Sequence, residues 1–299
     1  MRNIAVSVSA PASRSSFDPA LAAHLRAVAV SAALSVRDDL LAAFRSPMAA
    51  ETKVDFHDIV TIHDKETEAR LKRFIARAVP DSRFVGEEGG TEGEGRIAWY
   101  IDPIDGTANF VSGLAFWCVS IGAVVEGEIV AGVVFDPVSG NMFSADGGGA
   151  WLNDRALVSR ARPSEDEAVL ITGYPVARDF RLDGRAVALD RFATLAERFS
   201  AVRRPGSAAL SLCHVAAGWA DAAMGFGVNA WDVTASILIL RRAGGRYTPY
   251  RLGKVPPGAA DFLCPGYVAV GEGGDYPTPD AIAAAISAHR ETLVPSPSH

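Results

Sequence analysis

The order in which apolar patterns follow one another constrains the fold of this chain most. Two helical periodicities come first: one begins at Asp18-Pro19 and extends to about Arg45, and the other covers about Lys65–Ala78. Short apolar runs bounded by Gly, Asp or Pro follow, as is typical of strands. The strands predicted here, with a hairpin turn at Glu126-Gly127, are Arg83–Gly86, Ile97–Ile101, Cys118–Val125, Ile129–Phe135 and Met142–Ala145.

The second half of the chain alternates strands with helices. The predicted strands are Val169–Thr172, Ala201–Arg203, Asp221–Met224, Arg246–Thr248 and Tyr267–Val270. The predicted helices are Arg185–Phe199, Ser207–Ala217, Asp232–Ala243 and Pro279–Thr292. This order predicts a mixed α/β (α+β) protein with two sheet-containing halves. We expect a loose tail at 1–17, an N-terminal half at 18–160, a C-terminal half at 161–294 and a frayed end at 295–299.

Composition narrows the possible partners and compartments. With 49% hydrophobic residues among 299, the chain can bury a large core and is not disordered. Its net charge is −6 without a basic stripe, so nucleic acid is not an expected partner. Three distant cysteines form neither a disulfide framework nor a metal motif, which favours the cytoplasm. No membrane partner is expected, because the longest apolar stretch, Leu114–Val125, is too short for a span and indicates a buried strand.

The segment Asp102-Pro-Ile-Asp-Gly-Thr107 carries the strongest chemical signal. A buried strand delivers Asp102 at its end, and Pro103 prevents the strand from continuing in a regular ladder. A turn then brings Asp105 to the same point, and Gly106-Thr107 offers free N–H groups at a helix start, which suit a phosphate. Paired carboxylates beside such N–H groups favour hard cations that bridge protein and phosphate. The alternative is a polar turn between strands.

Three weaker segments lie elsewhere in the chain. Glu87-Glu88 follows a strand and precedes an acidic, glycine-rich stretch, which alone indicates a solvated loop. Asp232 follows Trp231 where an N-cap is expected, and a cap can also be a metal ligand. The third segment, from Lys53 through Asp58 to Asp64, alone indicates a hairpin before the second helix, with Asp64 as its cap.

Together these segments give the chain a family resemblance. It resembles the inositol monophosphatase family of Mg²⁺-dependent, lithium-sensitive phosphatases, whose superfamily includes fructose-1,6-bisphosphatases and bisphosphate nucleotidases. The resemblance covers about residues 20–270 and keeps the family's order and spacing. Its motifs are Lys53…Asp58-Ile-Val-Thr…Asp64, Gly86-Glu87-Glu88, Asp102–Thr107, Gly132–Asp136, Gly149–Asn153, Gly206–Ala209 and Trp231-Asp232.

The resemblance implies a layered αβαβα sugar-phosphatase fold, two to three Mg²⁺ ions and a homodimer. The implied metal ligands are Glu87, Asp102, the Ile104 carbonyl, Asp105 and Asp232. Thr107, Asp64 and Glu87 would orient the attacking water, with Lys53 an outer member of the cluster and Asp64 also near a third ion. The implied substrate contacts are Asp105, Gly106, Thr107, Gly206, Ser207, Ala208, Gly225 and Asp232.

One position departs from the family pattern. Inositol-preferring members have a Glu seven residues before the aspartate of the Trp-Asp pair, and this chain has Gly225 there. A lost hydroxyl partner can change discrimination strongly. Inositol 1-phosphate is therefore the family's default substrate, while histidinol phosphate, fructose 1,6-bisphosphate or a 3′-phosphonucleotide stay open. Three arginines, at Arg178, Arg181 and Arg185, either meet a second anionic group or form a solvated surface run.

Two non-enzymatic alternatives remain. One is a metal-bound regulatory or interaction protein, because some bacterial relatives are linked to RNA-processing or transcription complexes; the intact carboxylate set disfavours it. The other is a calcium-binding domain, which the dispersed acids disfavour because an EF-hand gathers them in one loop. The five predicted site acids, Asp64, Glu87, Asp102, Asp105 and Asp232, account for most of the charge of −6. Bound Mg²⁺ would let such a site attract a phosphate.

Overall fold

A computed structural model describes residues 18–47, 50–52 and 59–293 of the chain. Lys53, Asp58 and the predicted tails at 1–17 and 295–299 lie outside these residues. The helices of the described part are α1 (Pro19–Ser35), α2 (Arg37–Ala43), α3 (Ile62–Ala78), α4 (Thr107–Ser112), α5 (Ala177–Asp183), α6 (Arg185–Arg198), α7 (Ala208–Ala216), α8 (Ala230–Arg242) and α9 (Pro277–Thr292).

The strands fall into three sheets. The first is the hairpin of β1 (Ala50–Thr52) and β2 (Ile59–Thr61). The second has the order β10-β9-β8-β7-β6-β5-β3-β4, in which only β3 and β5 pair in parallel. Its strands are β3 (Ser82–Gly86), β4 (Gly90–Glu92), β5 (Ile97–Asp105), β6 (Cys118–Val125), β7 (Glu128–Asp136), β8 (Asn141–Asp146), β9 (Gly149–Leu152) and β10 (Arg155–Ala156).

The third sheet has the order β12-β11-β13-β15-β14, and β11 runs parallel to both of its neighbours. Its strands are β11 (Val169–Thr172), β12 (Ala201–Arg203), β13 (Ala222–Phe226), β14 (Arg246–Tyr250) and β15 (Gly266–Val270). Helices α1 and α3 cover one face of the eight-stranded sheet, α7 and α8 lie between the two large sheets, and α9 covers the outer face of the five-stranded sheet. This confirms the layered αβαβα prediction.

Two glycines let α8 approach the eight-stranded sheet closely. Gly122 and Gly132 are partners across β6 and β7. A Cβ on Gly122 would lie 2.5 Å from Cγ2 of Thr234, and one on Gly132 would lie 2.6 Å from the Ala235 carbonyl oxygen. Larger side chains would push the helix away. This contact sets the position of the start of α8, where Asp232 lies.

Several predicted bounds are confirmed and several are wrong. Strands β6, β11 and β12 have the predicted bounds. The first helix was expected to be continuous to about Arg45, but it breaks at Val36. The Ser35 hydroxyl donates to the Ala32 carbonyl, and such a bond competes with the helical ladder. The acidic stretch after Glu88 contains the exposed edge strand β4, where a loop was expected.

The helical caps also differ from prediction. Helix α3 begins at Ile62 with Thr61 as its N-cap, and α8 begins at Ala230 with Asn229 as its N-cap. Asp64 and Asp232 are therefore not the caps themselves. Each lies at the third helical position and accepts a hydrogen bond from the backbone N–H of the cap residue.

The segment Pro19–Ala43 is long and apolar enough to cross a membrane, judged by length and composition alone. In the fold, however, its Leu25, Ala29 and Ala32 side chains are fully buried against the sheet. A helix that contributes to a protein core passes the same test, so this feature is weak evidence for a span.

Candidate active site

The end of β5 brings the two predicted aspartates together. Asp102 pairs with Ser120 of β6, and Asp105 pairs with Cys118, with an irregularity between them. One extra residue on β5 makes this a bulge, and Pro103 is tolerated there because it need not donate to the ladder. The strand therefore continues to Asp105, although it was expected to end at Ile101. The bulge directs both carboxylates toward one end of the sheet.

Asp102 lies at the centre of the acidic cluster. It is 2% exposed, and its Oδ1 accepts a hydrogen bond of 2.9 Å from the Ile104 N–H. Burial raises the pKa of Asp102 well above its ordinary value, and the nearby carboxylates raise it further. These carboxylates belong to Glu87, Asp105, Asp232 and Asp64. The other three predicted ligand side chains and Asp64 thus all act electrostatically on Asp102.

Asp105 is held by the start of α7. Its Oδ2 accepts hydrogen bonds from the Ser207 hydroxyl and, at 2.7 Å, from the Ala209 N–H. Its Oδ1 lies 3.4 Å from the Ala208 N–H. Burial raises the pKa of Asp105, while these hydrogen bonds lower it. The predicted substrate-side turn, Gly206-Ser207-Ala208, therefore also fixes a predicted metal ligand.

Thr107 links the start of α4 to Asp64. Its hydroxyl oxygen lies 3.1 Å from Oδ1 of Asp64 and 3.0 Å from the Ile104 carbonyl oxygen. The other Asp64 oxygen accepts from the N–H and hydroxyl of Thr61 at 2.8 and 2.7 Å. Asp64 is fully buried. The structure thus brings Thr107 and Asp64 together beside the Ile104 carbonyl.

The Glu87 loop rests on an acidic residue that the sequence analysis missed. Glu68 of α3 is 2% exposed and accepts hydrogen bonds of 2.8 Å from the N–H groups of Glu88 and Gly89. Lys72 lies 2.7 Å from Glu68 and 2.7 Å from Glu92 of β4. The available signal was spacing, because Asp64, Glu68 and Lys72 recur every four residues on one helical face.

A pocket of about 430 Å³ opens beside Asp105 and Asp232. The predicted substrate residues Gly206, Ser207, Ala208 and Gly225 line it. Arg178 of α5 also lines it. Among the described residues, no other lysine or arginine lines this pocket. Arg181 and Arg185 are exposed, which agrees with the alternative of a solvated run for these two.

Tyr267 of β15 also lines this pocket and was not predicted from the sequence. It lies opposite Gly225 in the register of β13 and β15. The only sequence signal was the absent acid at Gly225, which leaves space for a large neighbour.

The donor set fits a hard divalent cation. Carboxylate and carbonyl oxygens are the ligands that Mg²⁺ prefers, with water and substrate oxygens completing its shell. A buried group of mutually repelling carboxylates also needs protons or cations to offset its charge. Within residues 18–47, 50–52 and 59–293, no three Asp, Glu, His or Cys side chains converge in a ready-made metal cage. Hydrogen bonds orient Asp102, Asp105 and Asp232, so ion binding would require these side chains to shift.

Comparisons with known proteins agree with this fold and site. The inositol monophosphatase family matches residues 22–295. Nus factor SuhB of Pseudomonas aeruginosa is 38% identical over 222 residues, which are 73% of this chain and 79% of that protein. The fructose-1,6-bisphosphatase/inositol-1-monophosphatase of Aquifex aeolicus is 37% identical over 210 residues, or 69% and 76% of the two chains.

A solved structure extends the likeness to the fold. The extragenic suppressor protein SuhB of Bartonella henselae superimposes with a TM-score of 0.75 at 28% identity, covering 90% of this chain and 99% of that one. The class defined by fold, site and relatives is that of the phosphomonoester hydrolases. Within that class, the chain belongs to the inositol monophosphatase family.

Proposed function

We propose that this protein is a Mg²⁺-dependent phosphomonoesterase that hydrolyses a small phosphorylated alcohol by direct attack of water. The observation that carries the proposal is the bulge of β5, which brings the buried Asp102 and Asp105 together at one end of the sheet. Burial and the nearby carboxylates of Glu87, Asp105, Asp232 and Asp64 raise the pKa of Asp102. Two relatives support the substrate class through their names, which specify inositol-1-monophosphatase or fructose-1,6-bisphosphatase activity.

Each predicted site residue would have a distinct role in hydrolysis. Glu87, Asp102, the Ile104 carbonyl, Asp105 and Asp232 would hold two to three ions. When bound, Mg²⁺ supplies a more acidic water and neutralises charge that develops on the phosphate and leaving oxygens. The Thr107 hydroxyl donates its proton to Asp64. The lone pairs of the Thr107 oxygen can then accept a hydrogen bond from the attacking water. Glu87 would orient the same water, with Lys53 at the edge of the cluster.

The substrate would bind on the other side of Asp105. The N–H groups of Gly106 and Thr107 at the start of α4 would hold the phosphate. Gly206, Ser207, Ala208 and Gly225 would face the alcohol. Inositol 1-phosphate is the default substrate, with fructose 1,6-bisphosphate, histidinol phosphate and a 3′-phosphonucleotide as alternatives. We also expect Li⁺ to inhibit the reaction, which a Li⁺ titration of the activity tests. We expect a homodimer, which light scattering tests, and a cytoplasmic location, which cell fractionation tests.

The decisive assay measures phosphate release from a panel of these esters with and without Mg²⁺. We expect release that requires Mg²⁺ and vanishes in Asp105→Asn. The matched control is Asp190→Asn on the exposed face of α6, which should retain wild-type activity. Full activity in Asp105→Asn would contradict the metal assignment.

The names of several relatives favour a second candidate function. The relative from Pseudomonas aeruginosa is a Nus factor SuhB, as are those from Xylella fastidiosa and Pasteurella multocida. A regulatory interaction role would be supported if Asp105→Asn retained its protein partners in a pull-down while the wild type hydrolysed no phosphate ester. Mg²⁺-dependent hydrolysis by the wild type would favour the phosphatase.

A further inference from the structure

Tyr267 occupies the space that Gly225 leaves empty. The two residues are direct partners across β13 and β15, so a side chain at position 225 would point to the same face of the sheet as Tyr267. A Cβ on Gly225 would lie 2.7 Å from Cε1 of Tyr267 and 3.2 Å from its hydroxyl oxygen. The phenol ring therefore lies over the position from which inositol-preferring members extend a carboxylate. The missing carboxylate at position 225 and the Tyr267 ring are therefore linked, because the ring fills the space that the carboxylate would need.

The ring is held firmly and its hydroxyl is available. Tyr267 is 3% exposed, and its ring stacks on Tyr247 at 5.5 Å with an interplanar angle of 17°. No hydrogen bond among the described residues involves its hydroxyl, which borders the pocket beside Asp105 and Asp232. Burial and these two carboxylates raise the pKa of Tyr267, so the phenol stays protonated at neutral pH and can donate.

The charge at this end of the pocket also differs from that of a carboxylate site. Arg178 packs over Gly227 and donates to the Phe226 carbonyl, which places its guanidinium at the pocket wall. The neighbouring Asp179 is buried; it lies 3.8 Å from the Arg178 guanidinium and pairs more closely with Arg290, at 2.8 Å. An acceptor of hydroxyl protons is thus replaced by a neutral donor in a pocket that Arg178 also lines.

We infer that Tyr267 is a substrate-binding residue that determines specificity, with its hydroxyl donating to an oxygen on the alcohol half of the substrate. The inference rests on the proposed phosphatase function. It gives preference to phosphorylated alcohols that carry a second acceptor or anionic group, such as a second phosphate. A hydroxyl oxygen of inositol 1-phosphate can also accept this hydrogen bond, but the compound lacks a second anionic group and is therefore the poorer match.

The test compares Tyr267→Phe with the matched variant Tyr247→Phe, which removes the same atom from the neighbouring ring. The Tyr247 hydroxyl is buried without a hydrogen-bond partner among the described residues, so its loss should be neutral. Steady-state kinetics are measured with Mg²⁺ on fructose 1,6-bisphosphate, inositol 1-phosphate and p-nitrophenyl phosphate. We expect Tyr267→Phe to lower kcat/KM for the bisphosphate about tenfold, the effect of one hydrogen bond, mainly through KM. Hydrolysis of p-nitrophenyl phosphate should be unchanged.

A second pair of variants tests whether the Tyr267 ring occupies the space that a glutamate at position 225 would need. Gly225→Glu alone meets the Tyr267 ring, whereas Gly225→Glu with Tyr267→Ala has room for the carboxylate. We expect the double variant to shift its relative kcat/KM toward inositol 1-phosphate.

The outcomes separate the two proposals. If the wild type hydrolyses no ester with Mg²⁺, the proposed function fails and this inference fails with it. If the wild type is active but Tyr267→Phe matches it on all three esters, or loses activity equally on all three, the inference alone is overturned.

Discussion

At the scale of a single residue, the Thr107 hydroxyl links α3 to β5. Its oxygen contacts both Asp64 of α3 and the Ile104 carbonyl of β5. We expect Thr107→Ala to lower kcat about 10²-fold, since the attacking water would lose its orienting partner. Thr107→Ser keeps the hydroxyl and should retain most activity. Phosphate release at saturating substrate measures the effect. Equal kcat values in the Ala and Ser variants would exclude this role of the hydroxyl.

The raised pKa of Asp102 predicts how pH affects the metal-free protein. A carboxyl whose native-state pKa is raised contributes stability that is complete below its unfolded-state pKa and is lost as the pH rises through the native-state pKa. With the metal chelated, this contribution should therefore fall between acidic and neutral pH. Because Mg²⁺ binds the ionised form, its stabilising effect should be larger at about pH 8 than at about pH 5.

The measurement is the Tm in EDTA and in Mg²⁺ at both pH values. Asp102→Asn provides the control, because it removes the titrating group and should weaken the pH dependence of the Mg²⁺ effect. A wild-type Tm increase in Mg²⁺ that is the same at both pH values would contradict the prediction.

Residue types and spacing pointed to Asp102 and Asp105 because cation chemistry limits the choice of side chain, whereas Asp232 was implied as a ligand only by the family resemblance. Tyr267 could not be found in this way. Its role depends on the register that places it opposite Gly225, and that register becomes visible only in the folded sheet.

At the scale of one element, α3 supports the Glu87 loop through Glu68. We expect Glu68→Gln to reduce the free energy of unfolding by about 1–3 kcal/mol, because a buried carboxylate that accepts two N–H groups is lost. Mg²⁺ affinity should fall as well, since the loop carries a proposed ligand.

The matched control for Glu68 is Glu92→Gln. Glu92 also contacts Lys72, but its side chain is 57% exposed, so a smaller loss is expected. Denaturant unfolding and calorimetric Mg²⁺ titration measure the two effects. Equal losses in both variants would show that Lys72, and not the loop, accounts for the role of Glu68.

Element boundaries were predicted well where composition changes abruptly and poorly where side chains act at a distance. The apolar run of β6 ends at a turn, and its bounds were confirmed. The break at Val36 escaped prediction because it lies within an unbroken apolar pattern. The extension of β5 through Pro103 required a bulge, which depends on the pairing with β6.

At the scale of the whole molecule, the site depends on how closely α8 approaches the eight-stranded sheet. We expect Gly132→Ala to destabilise the protein by about 1–3 kcal/mol, since its Cβ would lie 2.6 Å from the Ala235 carbonyl oxygen. Displacement of α8 should also move Asp232 and weaken Mg²⁺ binding. Gly147→Ala is the control, because a Cβ there meets nothing within 4 Å. A wild-type Mg²⁺ affinity in Gly132→Ala would contradict the coupling.

The mixed α/β class with two sheets followed from the order of elements, the αβαβα layering followed from the family resemblance, and both were confirmed. The contact between the Gly122–Gly132 pair and α8 was not predictable, because it joins residues far apart in the chain. The expected boundary near residue 160 stays a prediction.

The helices between the two sheets have a consequence for synthesis of the chain on the ribosome. All strands of the eight-stranded sheet are made by residue 156, but α8, which covers one of its apolar faces, ends at residue 242. Until then the nascent protein exposes the kind of surface on which aggregation begins and which chaperones protect. It also lacks Asp232. The same helix therefore covers this surface and carries the last acidic group of the proposed site, so we expect a truncated translation product to be inactive and prone to aggregate.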